Sequence, residues 1–347
     1  MKFNTKRGSA FVAVAVTAAM ALSACSSSTP ASSGSTGGST KATGNLNIVF
    51  IPKNLGNPYF DTSDAGGKTA VTALGGKYSE VGPQTGTPDG QVQYINTATQ
   101  QHASALVVSA NDPKAIGSAL NEARAAGTKV VTFDSDTETQ YRDVYINQAT
   151  TEGIAKIQVD SITKQIGDTG EVAILSASAN ATNQNSWIAL MKKDLAANHP
   201  NVKLVDVVYG NDDDQTSFDK TAALLQSHPN LKGIISPTTV GIAAAARYLS
   251  TSDKKGKVAL TGLDTPNQMR AYVKNNTVKE FALWNPADLG YLAAYAAAAL
   301  VKGEITGKTG DKFKAGKLGE FTVGDKGTVL LGAPFTFNAA NIDQFKF

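Results

Sequence analysis

Polar and aromatic side chains recur together just beyond short apolar runs of this chain. Lys53, Asn57, Tyr59 and Phe60 follow the run at 46–51. Phe133 and Asp134 close a second run at 129–133. Asn183, Gln184, Asn185 and Trp187 come after 171–175, and Pro237 and Thr239 after 233–236. Asp264 follows 258–263, and Trp284 and Asn285 follow Phe281-Ala282-Leu283. Hydroxyl groups donate and accept at once, so carboxylates and carboxamides can pair with neighbouring hydroxyls. Aromatic faces accept the C–H side of a sugar ring. A well-formed hydrogen bond to a charged partner such as Asp134 or Lys53 contributes about 1.5–3 kcal/mol. This mixture of groups fits a neutral sugar.

Each residue also has a plain structural use. Asp134, Asn183 and Asp264 are what a helix N-cap or a turn requires. Trp187 and Trp284 fit an ordinary core, and Lys53 a solvated strand end. The set is distinguished by its recurrence at strand ends. The run Asp212-Asp213-Asp214 lacks the alternating ligands and closing Glu of a calcium loop, and reads as a solvated strand-to-helix turn. His102, His199 and His228 lie near helix ends or turns, without a second histidine at ligand spacing, so no metal is expected. No cofactor is expected either. The chain lacks a Gly-x-Ser-x-Gly elbow, a phosphate-binding Gly-x-x-x-x-Gly-Lys loop and a His-Glu-x-x-His pair, which argues against an enzyme.

The elements that must position these residues alternate. Strands are expected at 46–51, 77–81, 105–109, 129–133, 171–175, 203–209, 233–236 and 258–263. Helices are expected at 69–74, 90–101, 113–126, 183–197, 216–226 and 241–249. Repeated strand–helix units with β-branched strands specify parallel sheets covered by helices. The unit from Val107 to Val131 is matched by one from Ile235 to Leu260, each ending near an Asp. This internal duplication predicts an α/β fold of two similar doubly wound lobes. Ligands of such sheets bind beyond the carboxyl ends of the strands, so the site is expected in a cleft between the lobes.

The N-terminal region has another character. Lys2, Lys6 and Arg7 precede an apolar stretch at 11–22, shorter than the roughly 20 residues that a membrane span needs. Leu22-Ser23-Ala24-Cys25 follows and looks like a bacterial lipobox. The resemblance implies a signal peptide at 1–24, acylation of Cys25 and a lipid anchor outside the cytoplasm. Residues 25–44 are rich in Ser, Thr and Gly and read as a flexible linker. Cys25 is the only cysteine, so no disulfide is expected. The formal charge is +3, and loss of the three N-terminal cations leaves it near zero. That balance gives no support for nucleic acid as a partner.

On these features the chain resembles the type I, ribose-type periplasmic sugar-binding proteins of ABC importers. The similarity covers about 46–347 and is narrowest to rhamnose-binding proteins. It is carried by Ile146-Asn147-Gln148-Ala149-Thr150, Asn183-Gln184-Asn185, the run at 233–249 and the run at 277–284. The first and last also resemble the hinge crossings of that family. The resemblance implies lobe 1 at 45–147 with 285–330, and lobe 2 at 148–284 with 331–347. It also implies a monosaccharide ligand, ABC permease subunits as partners and a monomer. The polar ligand set of autoinducer-2 binding relatives resembles Lys53, Asp134, Asn183, Gln184, Pro237 and Thr239. Two positions depart, with Asp in that pattern at 183 and Ala at 239. Tyr59, Phe60, Phe133, Trp187 and Trp284 match its aromatic positions. A sugar-sensing transcription regulator would share the fold. Here a signal and a linker stand where its DNA-reading helices would be.

Overall fold

A computed structural model describes residues 46–347. The expected signal, Cys25 and the linker lie outside the described residues. The chain opens with β1 (Asn47–Ile51), α1 (Pro58–Ala73), β2 (Lys77–Glu80), α2 (Val92–Gln100), β3 (Ala105–Val108), α3 (Gly117–Ala125), β4 (Lys129–Phe133) and β5 (Val144–Asn147). It continues with α4 (Thr151–Ile166), β6 (Gly170–Ser176), α5 (Thr182–Asn198), β7 (Val202–Tyr209), α6 (Asp214–Ser227) and β8 (Leu231–Ser236). Then come α7 (Thr239–Thr251), β9 (Ala259–Gly262), α8 (Pro266–Lys274), β10 (Glu280–Leu283) and α9 (Pro286–Val301). Four short strands close the chain: β11 (Lys312–Lys314), β12 (Glu320–Thr322), β13 (Thr328–Leu330) and β14 (Phe335–Asn338).

Two parallel sheets result. The first runs β13-β5-β4-β3-β1-β2 and the second β7-β6-β8-β9. Both start from the same 2-1-3-4 order, so each has a switch point, between β1 and β3 and between β6 and β8. The duplicated units occupy matching places. Val107 pairs with Val131 across β3 and β4, and Ile234 with Leu260 across β8 and β9. β10 lies beside β9 through a parallel bridge of Leu263 with Ala282, and pairs antiparallel with β14. The central strands are Val-, Ile- and Leu-rich and buried on both faces, as sheets covered by helices require.

The chain passes from one sheet to the other three times. It leaves β5 for α4 and β6, then leaves β10 for α9, which packs on β3, β4 and β5. Finally it leaves β13, paired with β5, for β14, paired with β10. Helix α9 crosses α1 at backbone contact. A Cβ at Gly290 would stand 1.8 Å from the Ser63 carbonyl oxygen, and one at Gly66 would stand 1.9 Å from that of Ala287. Only glycine permits that approach. This pair of helices sets the position of Tyr59 and Phe60, which lie in the first turn of α1.

Candidate functional site

The carboxyl ends of both sheets converge on one small cavity of about 40 Å³. From the first sheet come Lys53 after β1, Asn57, Tyr59 and Phe60 at the start of α1, and Asp134 after β4. From the second come Asn183, Gln184 and Trp187 on α5, Asp212 after β7, and Pro237, Thr238 and Thr239 after β8. Leu263, Leu283 and Trp284 complete the wall.

Asp134 is the centre of the polar network. It adopts φ of 60°, a left-handed conformation uncommon outside glycine. The Ser135 N–H donates to the Phe133 carbonyl at 2.6 Å, closing a three-residue turn around it. The Tyr145 hydroxyl donates to the Asp134 carbonyl at 2.9 Å and locks the turn. Strained backbone of this kind persists where surrounding bonds over-determine it, as at ligand sites. The Asp134 carboxylate thus points into the cleft. Its Oδ1 accepts from the Tyr59 hydroxyl at 3.2 Å and from Asn183 Nδ2 at 3.3 Å. Its Oδ2 accepts from Ser109 Oγ at 2.8 Å and lies 3.5 Å from Lys53 Nζ.

Lys53 is placed by the loop beneath it. Asn111 Nδ2 donates to the Lys53 carbonyl at 2.8 Å, and Gln91 Nε2 donates to those of Pro52 at 2.9 Å and Ser109 at 2.7 Å. Lys53 Nζ also donates to Asn183 Oδ1 at 3.4 Å. Gln91, Asn111 and Ser109 were not singled out in the sequence. Their signal is weak, because a buried amide serving backbone carbonyls looks like any polar loop residue.

The aromatic side chains form one continuous cluster. Trp284 Nε1 donates to the Tyr59 hydroxyl at 3.0 Å, so a chain of bonds runs Trp284 to Tyr59 to Asp134. Burial pushes the Tyr59 hydroxyl well above its ordinary pKa, and the nearby Asp134 adds to that shift. Tyr59 is therefore a permanent donor to Asp134 across the working pH range. Trp187 and Trp284 meet edge-on with centroids 6.2 Å apart, and Tyr59 and Phe60 with centroids 5.1 Å apart. Tyr59, Phe60, Trp187 and Trp284, with Leu263 and Leu283, give the cavity apolar lining beside its polar groups.

Several sequence expectations lie elsewhere. Phe133 is fully buried behind the cleft, against Phe50 and Phe60, because its side chain points into the layer between β4 and α1. Asn185 is one step round α5 from Asn183 and Gln184, and donates to the Ala179 carbonyl at 2.7 Å. Asn285 caps α9, accepting from the Ala287 N–H at 3.0 Å, and donates to Asp288. Asp264 is fully buried beside the cavity, not in it. Its Oδ1 accepts from the Thr265 N–H at 2.6 Å and Gln268 Nε2 at 2.8 Å. Burial pushes its carboxyl well above the ordinary range. Gln184 lines the cavity, but its side-chain oxygen accepts from Ser176 Oγ and the Ala177 N–H, so it braces the loop.

The acidic run also needs correction. Asp213 caps α6 and Asp214 pairs with Arg247, as in a solvated turn. Asp212 instead lines the cavity and accepts from Thr238 Oγ1. A triple Asp carries no sequence mark of which member turns inward. One group of ligand-type side chains exists among the described residues, Asp160, Asp194 and His199. Lys156 Nζ already pairs with Asp160 at 2.7 Å, and His199 Nδ1 with Asp168 at 2.6 Å, and none of these residues lines the cavity.

Two parallel sheets of matching order meet at their carboxyl ends around one polar and aromatic cavity. Residues 48–305 match the model of the periplasmic binding protein domain. The chain belongs to that family. It is a type I sugar-binding protein of ABC transporters, and such proteins are substrate-binding components, not enzymes. The family works outside the cytoplasm with a sugar ligand and permease components.

The chain is 53% identical to a sugar ABC transporter structure from Actinomyces odontolyticus, which covers 87% of this chain and 98% of that one, with a TM-score of 0.71. It is 38% identical to a solute-binding protein from Clostridium phytofermentas with bound L-rhamnose, with coverage of 87% and 98% and a TM-score of 0.84. It is 26% identical to LsrB from Clostridium saccharobutylicum in complex with AI-2, with coverage of 87% and 100% and a TM-score of 0.82.

Proposed function

We propose that the cleft binds a 6-deoxyhexose, L-rhamnose first, for delivery to the permease of a sugar importer. The observation that carries this reading is the mixed polar and apolar lining of the cavity. Lys53, Asp134 and Asn183 offer donors and acceptors, and Trp187, Trp284, Leu263 and Leu283 offer apolar surface. A 6-deoxyhexose presents the same division, hydroxyls around the ring and one methyl group. Asn183 supplies both a donor and an acceptor, where an Asp would supply acceptors only. The rhamnose-bound relative supports the same choice. Titration calorimetry against a monosaccharide panel tests it. L-rhamnose is expected to bind at micromolar affinity or tighter, about −8 kcal/mol.

The second reading is autoinducer-2. Lys53, Asp134, Gln184 and Pro237 line the cavity, and the likeness to the AI-2 complex favours it. Tight AI-2 binding with no heat from rhamnose would establish that reading in place of the first. On either reading the lobes, 45–147 with 285–330 and 148–284 with 331–347, close on ligand as a hinge. Small-angle scattering should show a smaller radius of gyration at saturation. The receptor acts as a monomer held to the membrane through acylated Cys25. Cys25→Ser should release it from the membrane fraction.

A further inference from the structure

Asp212 stands apart from the other polar residues of the cavity. Asp134 has every carboxylate lone pair directed at a donor of the protein: Tyr59, Asn183, Ser109 and Lys53. Asp212 has one such partner, the Thr238 hydroxyl on its Oδ1, and Oδ2 has no hydrogen bond among the described residues. It lines the same cavity from the second sheet. Its backbone is held for that purpose. Asn211 and Asp212 have φ of 55° and 50°, two successive left-handed residues without a glycine. The Asn211 N–H donates to the Ala177 carbonyl at 2.7 Å, and the Asp213 N–H to that of Gly210 at 3.0 Å, which pins the turn from both sides. Burial raises the carboxyl from its ordinary range, while the Thr238 hydroxyl and the Lys53 charge oppose that shift.

We infer that Asp212 is a specificity-determining contact of the cleft, whose free carboxylate oxygen accepts the hydrogen of one ligand hydroxyl. The inference rests on the reading of this cavity as the sugar site. It deepens that reading, since it adds an acceptor on the second lobe opposite Asp134 and Lys53 on the first. A ligand lacking the matching hydroxyl leaves this acceptor unpaired in the closed cleft, which discriminates between related sugars.

Asp212→Asn is the informative variant. The Asn oxygen still accepts from Thr238, so the turn is kept, and only the free atom changes from acceptor to donor. Titration calorimetry with L-rhamnose and its monodeoxy analogues is run on both proteins, with thermal melting to verify the fold. The variant should melt as the unaltered protein does and bind L-rhamnose at least tenfold more weakly. One monodeoxy analogue should lose at least tenfold against the unaltered protein and little further against the variant. That non-additivity marks a direct contact. Equal L-rhamnose affinity in the two proteins, or full additivity for every analogue, would overturn the inference. If the unaltered protein binds no monosaccharide of a wider panel, the reading of the cavity as a sugar site fails instead.

Discussion

Asn183 Nδ2 lies 3.3 Å from Asp134 Oδ1, and this bond joins a helix of the second sheet to a strand end of the first. Asn183 Oδ1 faces Lys53 Nζ at 3.4 Å, so one carboxamide answers both a carboxylate and an ammonium group across the cleft. A bound sugar has to exchange these contacts for its own hydroxyls. On the proposed reading the same three side chains serve closure and recognition.

Asp134→Asn should weaken sugar binding by about 1.5–3 kcal/mol, the range of a hydrogen bond to a charged group. It keeps the shape of the side chain and removes the charge beside Lys53. Calorimetry at fixed pH reads the loss, and unchanged affinity would remove Asp134 from the contact set.

Asn183→Asp should lower the melting temperature of the ligand-free protein. It places a second carboxylate about 3 Å from Asp134, and two carboxylates that close cannot both ionise without cost. Lys53 Nζ, beside both positions, offsets part of this repulsion, and acidification should restore part of the remaining loss. Melting curves at pH 5 and pH 8 check this, with the larger deficit expected at pH 8.

Gly290→Ala should destabilise the fold by about 3 kcal/mol or more, because its Cβ would sit 1.8 Å from the Ser63 carbonyl oxygen. Neither helix can yield without moving the other off the sheet. Urea denaturation measures the cost.

Much of this arrangement was legible in the residues. The strands β1, β3, β4, β6 and β8 announce themselves as β-branched runs buried on both faces. The duplicated unit falls on β3, α3 and β4 in one sheet and on β8, α7 and β9 in the other. What escaped had physical reasons. Helix α9 is alanine-rich and buried almost all round, so it has no polar face and no helical period to read. Helix α1 starts at Pro58, well ahead of the expected 69–74, although Asn57 as cap and Pro58 at the first position are start signals. Asp264 and Asn285 stand at strand ends as expected, but the backbone there uses them as turn and cap. Asp212 was hidden in an acidic run whose other two members are exposed.

Asp264 gives the clearest dependence on pH. It is fully buried, its Oδ2 has no partner, and burial raises its carboxyl well above the ordinary value despite the bonds from Thr265 and Gln268. The folded protein therefore holds a proton at pH values where the unfolded chain has lost it. By linkage, stability falls as pH rises between the unfolded and the folded values of this group. The contribution is fully present below the unfolded value, near pH 4, and lost above the folded one. Asp64 is buried and shifted in the same direction, so the protein as a whole should show this slope from more than one source. The comparison with Asp264→Asn isolates one source. The amide cannot ionise, and its oxygen still accepts from Thr265 and Gln268. The variant should match the unaltered protein near pH 4 and exceed it at pH 8 by about 1–3 kcal/mol, the cost of a buried unpaired polar group. For a chain of this size that corresponds to a melting temperature a few degrees higher. Melting curves from pH 4 to pH 8 on both proteins decide the matter: parallel curves would mean that Asp264 keeps an ordinary carboxyl in the folded state.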